Sequence, residues 1–132
     1  MHNPIVAIAL AGVAAFIFGA VYYMSLGKAY QSALGNNWDD CKGKKPPLGP
    51  LAICLVAEWI MASMVVTVLA GANIHGAQGG AISGAMLGVG FMATSTFVNN
   101  AFPGRKVTLS IIDSIHWIVV ATIEGAIIGG LV

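Results

Sequence analysis

The sequence predicts an all-α, polytopic membrane protein in which four transmembrane helices pack as one compact bundle. Three observations carry this expectation. Of 132 residues, 58 % are apolar and 8 % charged, against roughly 25 % charged in a soluble domain, and the mean hydropathy is +0.85. So few charges cannot solvate the surface of a globule this small. The apolar residues gather into four stretches, 5–26, 50–71, 79–102 and 107–132, each near the roughly 20 residues that cross a bilayer as a helix. The breaks between them carry turn chemistry. The chain, 1–132, reads as a single transmembrane domain.

Taken in order, the first span opens at Asn3 and Pro4, a pair suited to a helix start. It has no positively charged leader and is long for the apolar part of a signal peptide, so it reads as retained. Residues 27–49 form the longest connection and the one appreciable aqueous segment. Within it WDDCKGKKPPLGP, residues 38–50, combines charge, glycine and proline as no buried helix does. Gly71, Asn73 and Gly76 break the chain before the third span, and Phe102, Pro103 and Gly104 before the fourth. Cys41 in the loop and Cys54 in the second span have no reason to meet, and neither has a base or metal ligand at motif spacing.

Charge sets the expected orientation. Lys28, Lys42, Lys44 and Lys45 belong to the first loop, and Arg105 and Lys106 to the third. All six basic residues thus fall on one side, and the positive-inside rule places both termini on the non-cytoplasmic side. The expected location is a bacterial inner (cytoplasmic) membrane, crossed several times. A net charge of +1 with no dense basic run leaves no electrostatic case for nucleic acid as a partner.

Lipid gives helices no hydrophobic reason to associate, so close packing relies on small residues. Ala7, Ala11, Ala15 and Gly19 recur every fourth residue in the first span, Gly80, Gly84 and Gly88 in the third, and Ala121, Gly125 and Gly129 in the fourth. Packing within the chain accounts for most such stripes. Three of them in one protomer also leave material for a subunit interface, and a homo-oligomer is expected.

Chemistry rests with the residues too polar for their depth. Counted at a rise of 1.5 Å per residue, Glu58 lies about 12 Å into its helix from Pro50, and Asp113 and His116 lie about 9 and 14 Å from Val107. Those depths match, and Asn99, Asn100, Tyr22 and Tyr23 approach the same layer from the third and first spans. Glu124 stands apart, three turns beyond Asp113 and about 20° round the helix. No lysine or arginine lies within the spans, so His116, at i+3 from Asp113, is the one intramembrane cation available. In a structural role, carboxyls and asparagines hydrogen-bond across helices for about 1 kcal/mol each. In a functional role, the acids and the histidine exchange protons or bind a small cationic substrate. A lipid, quinone or metal site is a third and weaker reading.

Other chemistry finds no footing. His2 and His75 are lone histidines, and Asp113 with His116 makes a single D-x-x-H pair without a second, so no metal is expected. No phosphate loop, serine elbow, paired-cysteine motif or dinucleotide fingerprint is present, so neither a cofactor nor an enzymatic activity is expected.

A family resemblance reinforces the architecture. GAVYYMSLGKAYQSALG, residues 19–35, resembles the opening signature of the bacterial membrane proteins grouped as domain of unknown function 1761. NNAFPGRKVTLSIIDSIHWIVVATIEGAIIGG, residues 99–130, is similar to the closing pattern of that family: asparagine, a short basic turn, Ile-Asp, aromatics and a final Gly-Ala-Ile-Ile-Gly. Tyr22 and Tyr30 stand where members more often carry tryptophan. The resemblance implies four transmembrane helices and brings no activity with it. The reading that follows is a small proton-coupled transporter or channel-like protein acting as a homo-oligomer in the lipid bilayer. Its site comprises Glu58, Asp113 and His116, lined by Asn99, Asn100 and Tyr23. The alternative is a non-transporting module that binds lipid or a partner protein, its acids serving as structural hydrogen-bonding groups.

Overall fold

A computed structural model describes residues 3–132. Four helical segments are long and apolar enough to cross a membrane: α1 (Pro4–Ser25), α4 (Leu48–Gly71), the composite segment Ala77–Ala101, and α7 (Val107–Leu131). The composite segment joins α5 (Ala77–Leu87) through a π-helical stretch, Gly88–Ala93, to α6 (Thr94–Ala101). Two short helices, α2 (Gly27–Leu34) and α3 (Trp38–Cys41), occupy the first loop. The spans alternate in direction, so the chain ends and the Asn73–Gly76 turn lie at one end of the bundle and the basic loops at the other.

Local chemistry explains the element ends. Asn3 caps α1 by accepting the Ile5 N–H at 3.0 Å, with Pro4 in the first turn, where a missing N–H costs nothing. Gly35, at φ 88°, takes the left-handed conformation that ends α2, with the Asn36 N–H donated to the Gln31 carbonyl. The first loop is less aqueous than its composition implies. Tyr30, Ala33 and Leu34 share one face of α2, and that face, with Leu26 just before the helix, packs on Leu109 and Ile112 of α7. The second span begins two residues before Pro50, at Leu48.

The last helix is the axis of the fold. It touches α1, α4 and the third span, whereas the third span leans almost wholly on α7 and leaves Ile82, Met86, Val89 and Phe91 exposed. The reason is the glycine stripes. A methyl group on Gly80 would overlap the Gly125 carbonyl oxygen, and one on Gly84 that of Ala121. Gly88 lies against the Ile118 backbone and Gly129 against the Gly76 carbonyl, so the two stripes meet backbone to backbone. The first stripe is also used inside the chain. Ala7 and Ala11 pack with Ala62, Val65, Leu69 and Ile128, and Gly19 lies under His116.

The π-helical stretch keeps one face of the third span turned to α7. Gly80, Gly84, Gly88, Met92, Thr96 and Asn100 are all buried or half-buried, at a constant spacing of four. In an α-helix each such step drifts by about 40°, and the drift from Gly80 to Asn100 is about 200°. A π turn holds one extra residue and takes back about 100° of that. Asn100 then reaches α7. Widening frees carbonyls, and the hydroxyls of Thr94, Ser95 and Thr96 accept the task of bonding those of Gly90, Phe91 and Met92.

Candidate functional site

Three polar levels line the buried face of α7. Nearest the basic loops, the Asn100 amide donates to Ser110 Oγ at 3.2 Å. Asn99, expected to line the site, is exposed. Consecutive residues on a helix differ by about 100°, so only one of the two asparagines can look at α7.

One turn deeper lies an aromatic cluster. Tyr23 donates its hydroxyl to Asp113 Oδ1 at 2.6 Å, and Tyr22 donates to the Ile112 carbonyl at 2.6 Å. His116, 2 % exposed, lies among Phe18, Tyr22, Tyr23 and Trp117, with ring centroids 6.0, 5.8, 4.9 and 4.6 Å away. Gly19 makes room for it, since a methyl group there would come within 2.8 Å of Nε2. Both ring nitrogens lack a hydrogen-bond partner. The expected Asp113–His116 pairing is therefore not formed, because the imidazole turns toward α1 and the carboxylate is met by tyrosine instead. Outside the spans, Tyr30 packs on Tyr23 at 4.9 Å. Burial holds its phenol above the ordinary 10.0, and Asp113 adds to this, while Arg105 acts the other way.

The third level holds two acids. Glu58 and Glu124 are both 0 % exposed. Cys54, one turn before Glu58, donates its thiol to Oε1 at 3.7 Å, while Glu58 Oε2 and both Glu124 oxygens have no partner. Ser63, Thr67 and Thr122 bond back to carbonyls one turn earlier, whereas the buried Ser114 Oγ has no partner. Unpartnered polar atoms mark this layer and the Ser114–His116 stretch beside it, since buried polar groups are ordinarily paired.

Glu58 thus stands level with Glu124 and away from Asp113, against the expected convergence of Glu58 with Asp113. The cause is a shift of α4 along α7. Next to Glu58, the Trp59 indole lies against Gly12 and donates Nε1 to the Ala9 carbonyl at 3.4 Å. On α7, His116 meets Gly19 and Ile128 packs with Ala7, which puts Glu124 near the level of Ala11. Asp113 is eleven residues away from Glu124, about 16 Å along the helix. Depth counted from Pro50 assumed that α4 and α7 start level, whereas α4 starts roughly 10 Å further along the bundle.

Several contributors escaped sequence reasoning. Cys54 was set aside, although its i, i+4 relation to Glu58 is readable from spacing. Phe18, Ser110 and Ser114 gave no signal, because aromatic and hydroxyl residues are ordinary in spans. His2 lies outside the described residues. Among the described residues, no three His, Cys, Asp or Glu side chains gather as a metal site.

Searches among curated proteins and among solved structures returned no match. The family model described as "Protein of unknown function (DUF1761)" matches residues 6–129, nearly the whole chain including the tyrosine, asparagine and acid-bearing segments above. The chain belongs to the DUF1761 family of proteins of unknown function.

Proposed function

We propose that the protein is a small proton-coupled transporter or channel-like protein of a bacterial inner membrane, with the Glu58–Glu124 pair as its proton site. The observation that carries this reading is two fully buried carboxyl groups on neighbouring helices, three of whose four oxygens have no partner. Two charged carboxylates cannot share a dry layer without a cation, so the pair holds a proton and releases it when water or a small cationic substrate arrives. Asp113, His116 and Tyr23 form the flanking level toward the basic loops, with Asn100 beyond. The six basic residues set that end in the cytoplasm and both termini outside. The small-residue stripes are occupied within the protomer, so a homo-oligomer assembles through the outward face of the third span, where Ile82, Met86 and Val89 are exposed.

The structural alternative has one observation in its favour: Asp113 is satisfied by Tyr23 as a cross-helix bond would be. A flux measurement separates the two readings. Proteoliposomes holding a pH-sensitive dye are given an imposed potential, and ethidium uptake is followed under a pH gradient. Either proton movement or uptake should occur, and should drop by at least about tenfold in Glu58→Gln and Glu124→Gln while the helices stay folded. Absence of both movements, or their persistence in both variants, overturns the transport reading in favour of a membrane module that binds lipid or a partner protein.

A further inference from the structure

The two ways out of the carboxyl pair differ. Toward the basic loops, Glu124 is followed by Val120, fully buried, and then by the closed aromatic packing round His116. Toward the termini, a cavity of about 60 Å³ opens between the ends of α4 and α7. Its lining includes Leu69, Ile74, His75, Ile128 and Val132. That space has the volume of a few waters, and His75, which shares a hydrogen bond of 3.1 Å with Asn73 Oδ1, is the polar side chain in an otherwise apolar lining. Ile128 lines the cavity yet is 1 % exposed. It stands one turn beyond Glu124 on the same face of α7, about 6 Å along the axis. Ile128, packed with Ala62, Val65 and Leu69, thus lies between a water-sized cavity and the level of the carboxyl groups.

We infer that water and protons reach the Glu58–Glu124 pair from the end carrying the chain termini, through this cavity, with the Ile128 side chain as the gate. The inference rests on the proton-site reading of the pair and adds its direction of access. Among the described residues, the titratable side chains facing the route are Glu58 and Cys54 from α4, Glu124 from α7 and His75 from the turn, while α1 contributes Ala7 and Ala11. A rotamer change at Ile128 is enough to join the cavity to Glu124. A hydronium ion entering the cavity then passes its proton to a carboxylate oxygen of the pair and is left as water.

Infrared spectroscopy of the full chain in lipid tests this without any substrate or gradient. The carboxyl C=O band, assigned with Glu58→Gln and Glu124→Gln, is followed after transfer to deuterated water. Ile128→Ala should speed deuterium entry by about tenfold. Ile128→Val, which keeps the packing nearly intact, should give an intermediate gain, and Val120→Ala should leave the rate unchanged. Unaltered exchange in both Ile128 variants, or a larger gain in Val120→Ala, overturns the inference, the latter by moving entry to the opposite end. A chain that carries no flux can still pass this test, so the two readings fail separately. Absence of a protonated carboxyl band overturns both.

Discussion

At Gly84 the third span comes so close to α7 that a single methyl group would overlap the Ala121 carbonyl oxygen, a backbone atom that cannot step aside. Gly90, six residues on, has open space where its side chain would be. The two glycines therefore make opposite predictions. Gly84→Ala forces the helices apart and should cost about 1–3 kcal/mol, the usual range for overpacking. Gly90→Ala should be neutral or slightly stabilising. Thermal unfolding in one detergent compares them, and equal midpoints would show that backbone contact is not what joins these helices. The glycine stripes were legible in the sequence because a spacing of four is a local property. His116 was legible only as a polar residue. That its nitrogens are unpartnered and its ring enclosed by Phe18, Tyr22, Tyr23 and Trp117 depends on α1 as much as on its own helix.

Among the elements, the third span is the one whose regular appearance misleads. Read as a plain α-helix, it turns Asn100 away from α7, and nothing in its composition announces the π-helical stretch at Gly88–Ala93. The stretch follows from a conflict: glycines on one face must follow the α7 stripe while the hydroxyls beyond them meet the freed carbonyls. Deleting Gly90 removes the extra residue and rotates Thr94–Ala101 by about 100° relative to α5. In the parent chain Asn100→Ala should cost about 1 kcal/mol through loss of the bond to Ser110. In the deletion variant the same substitution should cost nothing, and a double-mutant cycle by thermal unfolding measures the difference. An unchanged cost would mean that the rotation is absorbed elsewhere. The loop helix α2 was missed for a simpler reason. Its apolar face is only three residues, and the lysines and prolines that follow dominate the composition of the segment.

For the molecule as a whole, four antiparallel spans put the basic loops and the termini at opposite ends. Cys41, the last residue of α3 in the first loop, should react with a membrane-impermeant thiol reagent only from the cytoplasmic face, and His75→Cys only from the other. Labelling of both from one face would contradict the four-span topology. Labelling with the faces exchanged would contradict the positive-inside assignment alone.

Hydrophobic length, turn residues and the distribution of lysine and arginine are properties of the chain itself. They determined the number of spans, their approximate limits, the side on which charge collects, and which residues are too polar for the bilayer. Pairing among those residues was decided by the tertiary structure. A shift of α4 by roughly two turns along α7 sets Glu58 at the level of Glu124 and leaves Asp113 to Tyr23. That shift is fixed by the Trp59–Gly12 contact and by Ala62, Val65 and Leu69 packing on α1 and α7. Counting along one helix cannot reveal the offset between two, because their relative height is set by side-chain packing across the interface.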